Sequence, residues 1–127
     1  MRLLLDTHVL LRAADNSVAM PPDILRLIED QDNLLHFSAA SIWEIAIKNA
    51  RGRSDFQANP TRLRRLLLDN GYEELVVTGE HAIAGAELPL LHKDPFDRLL
   101  IAQAIAEDMT LLTVDQTMMR YPGLRSR

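Results

Sequence analysis

The chain contains no cysteine. A disulfide scaffold, a thiolate metal site and a cysteine nucleophile are therefore excluded. It contains no long apolar run either; stretches such as Leu3-Leu4-Leu5 last only a few residues, against the ~20 needed to span a bilayer. It has no basic excess, because 14 Lys and Arg stand against 18 Asp and Glu, for a net charge of −4. Proteins that hold nucleic acid through bulk charge are usually basic, so nucleic-acid chemistry here would need a local basic surface or bound cations. Gly-x-Gly-x-x-Gly and Gly-x-x-x-x-Gly-Lys are both absent, which weakens a dinucleotide or P-loop reading. No internal repeat, low-complexity stretch or interdomain linker is visible. Asp6 arrives too early for a signal peptide, so the expected compartment is the cytoplasm, without membrane association. What remains is an ordinary globular mixture of 127 residues, 47% apolar and 25% charged, enough for one domain with one solid core.

Short apolar runs alternate with helical patterns. Leu3-Leu4-Leu5 predicts a buried strand, and Asp6-Thr7 starts a helix through residues 8–14. Pro21-Pro22-Asp23 opens a second helix with Ile24, Leu25, Leu27 and Ile28 on its apolar face. Leu34-Leu35-His36-Phe37 predicts a second strand, followed by a helix from Ser38 or Ala39 to about Arg51. Residues 52–60 are polar and predict a loop, residues 61–70 a helix, with Gly71 as its C-cap. Leu75-Val76-Val77 predicts a third strand, residues 79–88 a short helix and residues 91–93 a connector. Asp94-Pro95 opens a long helix to Asp108, and residues 111–114 predict a fourth strand. Strands alternating with helices, each strand continuously apolar, imply a parallel sheet covered on both faces.

Four acids stand out against this frame. In open parallel sheets ligands sit at the carboxyl ends of strands. Asp6 follows the first strand and Asp115 the fourth, although an Asp in that place also serves as the N-cap of the next helix. Asp94 reads as such a cap, with Pro95 at the first helical position. Asp97 is harder to explain as a cap, because helical spacing aligns it with the apolar stripe of Leu100, Ile101 and Ala104. A carboxylate on that stripe is costly unless it opens onto a polar cleft. Glu44 sits in the apolar run Ile42-Trp43-Glu44-Ile45-Ala46-Ile47 of a helix expected to be largely buried, where a pair with Lys48 alone would not offset its burial. All four acids can reach one sheet edge, where bare carboxylates would repel and a divalent cation removes the conflict. Oxygen ligands without Cys or a paired-His motif suit Mg²⁺ or Mn²⁺ rather than Zn²⁺.

The segments Leu3-Leu4-Leu5-Asp6-Thr7-His8, Ser38-Ala39-Ala40-Ser41-Ile42-Trp43-Glu44-Ile45-Ala46-Ile47-Lys48, Asp94-Pro95-Phe96-Asp97-Arg98-Leu99-Leu100-Ile101-Ala102-Gln103-Ala104 and Leu112-Thr113-Val114-Asp115 occur in the order seen in one family. The chain resembles PIN-domain ribonucleases, specifically VapC-type toxins of bacterial and archaeal toxin–antitoxin pairs. The resemblance covers nearly the whole chain and implies a single PIN domain over residues 1–127. It implies a three-layer α/β/α sandwich around a mostly parallel sheet of four to five strands, ordered 3-2-1-4-5, with Asp6 beside Asp115 and the last strand drawn from residues 123–126. It assigns the metal and the reaction to Asp6, Glu44, Asp97 and Asp115, with Asp94, Thr113 and Thr7 supporting them. One or two Mg²⁺ ions, with Mn²⁺ as the alternative, would hydrolyse RNA to 5′-phosphate and 3′-hydroxyl ends. The implied partners are RNA, a small DNA-binding VapB-type antitoxin and a second copy of the chain.

Arg98, His92, Lys93, Arg64 and Arg65 are the candidate RNA contacts, Arg98 alternatively pairing with a neighbouring acid. The four histidines are not spaced as a metal site, and His36 reads as a packed or edge residue. Trp43, the sole tryptophan, reads as core. Two other functions compete. One is a PIN-like module that has lost catalysis and acts through protein contacts, which retention of all four acids argues against. The other is an aspartate-based phosphotransfer domain or phosphatase, which wants Asp-x-Asp or an acidic pair where this chain has Asp6-Thr7-His8.

Overall fold

The computed structural model describes residues 1–15 and 19–127. Five parallel strands, β1 (Arg2–Leu5), β2 (Leu34–Ser38), β3 (Glu73–Leu75), β4 (Thr110–Leu112) and β5 (Arg125–Ser126), form one sheet in the order β3-β2-β1-β4-β5. Helices α1 (Thr7–Ala14), α2 (Pro22–Glu29), α3 (Ala39–Ala50), α4 (Pro60–Asp69), α5 (Gly79–Glu87), α6 (Pro95–Ala106) and α7 (Gln116–Met119) complete the three-layer α/β/α sandwich.

Successive strand side chains point to opposite faces, and both faces are covered. On β1, Leu3 and Leu5 join Val9, Ile24, Phe37 and Ile45 under α1 to α4, while Leu4 joins Leu100, Ile101 and Met118 under α6 and α7. The unbroken leucine run is the signature of a central strand buried on both sides. Each fully buried leucine contributes about 1.5–3 kcal/mol. Leu5 pairs with Leu112 in register, and the Asp6 amide donates to Leu112 O at 3.0 Å, so β1 and β4 end level with each other. The short fifth strand forms: Arg125 and Ser126 lie beside Thr110 and Leu111.

Three sequence expectations are corrected. The third strand lies at Glu73–Leu75, not at Leu75-Val76-Val77. Among the described residues its only neighbour is β2, and that ladder stops where Ser38 pairs Leu75 and turns its hydroxyl to accept the Ala40 amide as the cap of α3. Val76 and Val77 lie beyond the last partner and are exposed. Residues 52–60 contain a 3₁₀ turn, Ser54–Phe56, that buries Phe56 completely in the core. Trp43 is 63% exposed. Helix α3 turns Ala40, Ser41, Glu44 and Ile45 inward, and at ~100° per residue Trp43 falls on another face, edge-on to Phe96 at 5.5 Å. Among the described residues, no helix is long and apolar enough to cross a membrane.

Candidate functional site

The carboxyl ends of β1 and β4 and the first turn of α6 meet at one rim. Asp6 caps α1, its Oδ1 accepting the Val9 amide at 2.8 Å. Asp115 caps α7, its Oδ1 accepting the Thr117 and Met118 amides at 2.8 and 3.3 Å. Asp94 caps α6 in the same way and fixes the turn that carries Asp97. Capping and presentation to the rim are thus not alternatives, since one oxygen caps while the carboxylate stays at the edge. Thr113 is fully buried between the two strand-end acids, its hydroxyl accepting the Asp115 amide at 3.0 Å and hydrogen-bonding Asp6.

Glu44 reaches the rim from the middle of α3, where it shares a face with Ser41 and Lys48 (the i−3 and i+4 positions). It is buried and fully partnered: Oε1 accepts the Thr7 hydroxyl at 2.6 Å and Oε2 accepts Lys48 Nζ at 2.5 Å. Lys48 Nζ also lies 3.4 Å from Asp94 Oδ2. The pairing with Lys48 therefore forms, but within a polar network rather than as a lone surface pair.

His92 is the member that spacing did not reveal. Its Nε2 lies 2.9 Å from Asp115 Oδ2 and 3.2 Å from Asp97 Oδ2. Its Nδ1 accepts the Asp94 amide at 3.1 Å, which leaves Nε2 as the protonated, donating nitrogen. Instead of facing solvent as an RNA contact, the ring clips two of the predicted acids together. Arg98 is also corrected as an RNA contact. It is buried, and its guanidinium donates to the carbonyls of Gly85, Ala86, Leu88 and Pro89 at 2.9–3.3 Å. One residue further along α6 than Asp97, it is rotated ~100° away from the rim. The Tyr121 hydroxyl, which sequence reasoning missed, accepts the His92 amide at 2.7 Å and so helps to anchor that ring.

Lys93 and Arg65 are exposed, and Arg64 is held by Glu74 at 2.7 and 3.1 Å. Arg64 and Arg65 flank a groove between α3 and α4 lined by Ile42, Trp43, Ala46 and Leu68.

The electrostatics at the rim are those of crowded anions. Burial, then the charges of Asp94 and Glu44, push the Asp97 carboxyl up to about 7. Burial also raises Asp6, with Asp115 adding to it while the bonds from Thr113 and Val9 oppose. Burial raises Asp115 too, but the His92 bond and the Met118 and Thr117 amides outweigh it and hold Asp115 below its ordinary value. Two triads of side chains bring ligand atoms within 4.8 Å of one another, His92 with Asp97 and Asp115, and Glu44 with Asp94 and Asp97. Asp6 belongs to neither triad among the described residues; it feels both Asp97 and Asp115 through charge. Hard carboxylate oxygens, one of them raised to about 7 by burial and by its anionic neighbours, are a donor set that fits a hard dication.

A parallel α/β/α sandwich with carboxylates at the ends of its two central strands defines the class. The chain belongs to the PIN-domain family, whose profile matches residues 3–124. No curated protein matches it in sequence. Among solved structures it is similar to VapBC2 from Rickettsia felis bound to a DNA fragment from their promoter, at 20% identity and a TM-score of 0.73, covering 100% of this chain and 98% of that one. DNA-bound VapBC from Salmonella typhimurium gives 18% identity and a TM-score of 0.68, over 100% and 97%. VapBC-5 from Mycobacterium tuberculosis, a member of the VapBC family of toxin-antitoxin systems, gives 19% and 0.64, over 99% and 95%. At these identities the likeness is one of fold.

Proposed function

We propose that this chain is a metal-dependent ribonuclease, a single-domain VapC-type toxin of a toxin–antitoxin pair. The observation that carries the reading is the convergence of Asp97 and Asp115 on one histidine ring at the ends of the central strands, with Asp97 pushed up to about 7 by burial and by the charges of Asp94 and Glu44. Asp6, Asp97 and Asp115 would hold the ion, Mg²⁺ or Mn²⁺ by the hardness of their oxygens. When bound, a dication supplies Lewis-acid chemistry, acidifying water and neutralising phosphoryl charge.

The chain's own residues set the geometry for this. Thr113 ties Asp6 to the Asp115 backbone, and Asp94 fixes the turn that presents Asp97. Thr7 and Lys48 hold Glu44, whose role is to fix charge at the back of the site. Arg98 and Tyr121 pin the segment that carries His92. Lys93, exposed next to the rim, is positioned to meet a phosphate, while Arg64 and Arg65 lie at the α3–α4 groove. That groove, with exposed Trp43 and Leu68, suits an apolar segment of an antitoxin of the VapB type. A homodimer and a cytoplasmic location complete the reading.

The test is cleavage of total cellular RNA with Mg²⁺ or Mn²⁺, against EDTA and the Asp6→Asn and Asp97→Asn variants, with fragment ends mapped. Cleavage leaving 5′-phosphates, lost with EDTA and in both variants, is expected. Full cleavage in EDTA, or undiminished EDTA-sensitive cleavage by Asp6→Asn, rejects the assignment.

A further inference from the structure

The two triads of the rim share Asp97, an arrangement that invites two cations. They differ in what already occupies them. In the Glu44–Asp94–Asp97 triad a cation of the chain is in place: Lys48 Nζ sits 2.5 Å from Glu44 Oε2 and 3.4 Å from Asp94 Oδ2, on a side chain only 14% exposed. The remaining oxygens of these two acids are also taken. Glu44 Oε1 accepts the Thr7 hydroxyl at 2.6 Å, and Asp94 Oδ1 accepts the Phe96 and Asp97 amides at 2.8 and 3.2 Å.

The ammonium is not a loose surface charge. The Phe56 ring lies 4.7 Å from it and the Phe96 ring 5.6 Å, both within cation–π range. Phe56 is itself fully buried by the 3₁₀ turn, so the aromatic support is anchored in the core. In the other triad the resident group is the His92 imidazole, whose Nε2–H donates to Asp115 at 2.9 Å and lies 3.2 Å from Asp97 Oδ2.

We propose that Lys48 takes the place of a second metal ion, so that the centre holds one dication, on the Asp97–Asp115 side with Asp6 beside it. Resting on the metal-dependent reading above, this makes Lys48 a positioning residue. A dication among Glu44, Asp94 and Asp97 would compete with the ammonium for the same oxygens and stand against it at contact distance, where like charges repel strongly. An ammonium neutralises carboxylates, yet unlike a dication it has no open coordination position for water. The Glu44 side then shapes charge, and activation of water is confined to the other side.

The test counts ions rather than turnovers. Mn²⁺ is titrated into the full chain and followed by calorimetry and by the loss of the free-ion paramagnetic resonance signal. One Mn²⁺ per chain, without the spectrum of a coupled pair, is expected. Lys48→Met keeps an unbranched stem against Phe56 and removes the charge; a second Mn²⁺ and a coupled-pair spectrum are expected, with circular dichroism and melting confirming the fold. Glu44→Gln gives an independent reading, with stoichiometry remaining one and affinity falling by about 10–100-fold, as for a group behind the ligands. Two ions in the wild type, one ion in folded Lys48→Met, or loss of Mn²⁺ binding in Glu44→Gln each overturns the role of Lys48 and leaves the metal centre standing. No Mn²⁺ bound by the wild type overturns the metal-dependent reading itself, and this inference with it.

Discussion

On one side of the rim Glu44 is sealed: it is 2% exposed, and both oxygens are held by Thr7 and Lys48. On the other side Asp115 is 36% exposed, and its second oxygen is held by a histidine ring instead of an ammonium. Asp97 stands between them, sharing a triad with each. The same chemical group is built into the scaffold on one side and left exchangeable on the other. What separates the two is the partner, an ammonium with several donors against a single imidazole N–H.

The sharpest way to break this contrast is to neutralise one acid at a time. Asp97→Asn should weaken Mn²⁺ binding by well over about 100-fold, whereas Asp94→Asn, which keeps a good helix cap and acts behind the ligands, should cost about 10–100-fold. Isothermal titration of both variants measures the difference, and equal losses would erase the distinction between the sides.

A second, smaller effect is pH-dependent. The Asp97 carboxyl is raised to about 7 in the fold, from an ordinary 3.8. Between those values the unfolded chain releases a proton that the folded chain keeps, so stability falls as pH rises through that window and levels off above about 7. Metal-free protein is expected to melt roughly 10 °C lower at pH 8 than at pH 5 from this group. Asp97→Asn should flatten that dependence, and Mn²⁺ should stabilise more at pH 8 than at pH 6. Scanning calorimetry across the range reads all three.

The smallest effect is expected at Trp43, which backs the Lys48 side through Phe96. Because it is largely exposed, Trp43→Ala should cost no more than about 1.5 kcal/mol, the scale of one aromatic pair, against about 3–5 kcal/mol for a core tryptophan. Urea unfolding measures it.

The sheet was legible because its central strands are short apolar runs ended by acids, and buried parallel strands have to look like that. The third strand was misread because an edge strand is defined by its neighbour: Ser38 stops the ladder, whatever the hydrophobicity of Val76 and Val77. Trp43 was misjudged because apolar neighbours in sequence lie around a helix on all sides. Asp97 was readable from its place on the Leu100–Ile101–Ala104 stripe. The roles of His92 and Tyr121 were not, because their contacts join residues 23 and 29 positions apart through the closure of the sheet. Arg98 was misassigned because adjacency to Asp97 in sequence means a different face in a helix.

The helix caps carry one more consequence. Asp6 and Asp94 each sit at the amino end of a helix of two turns or more, so two such ends are aimed at the rim. The aligned peptide dipoles of a helix leave roughly half a positive charge at that end. A polyanion approaching this edge therefore meets a backbone field that opposes the repulsion of the side chains.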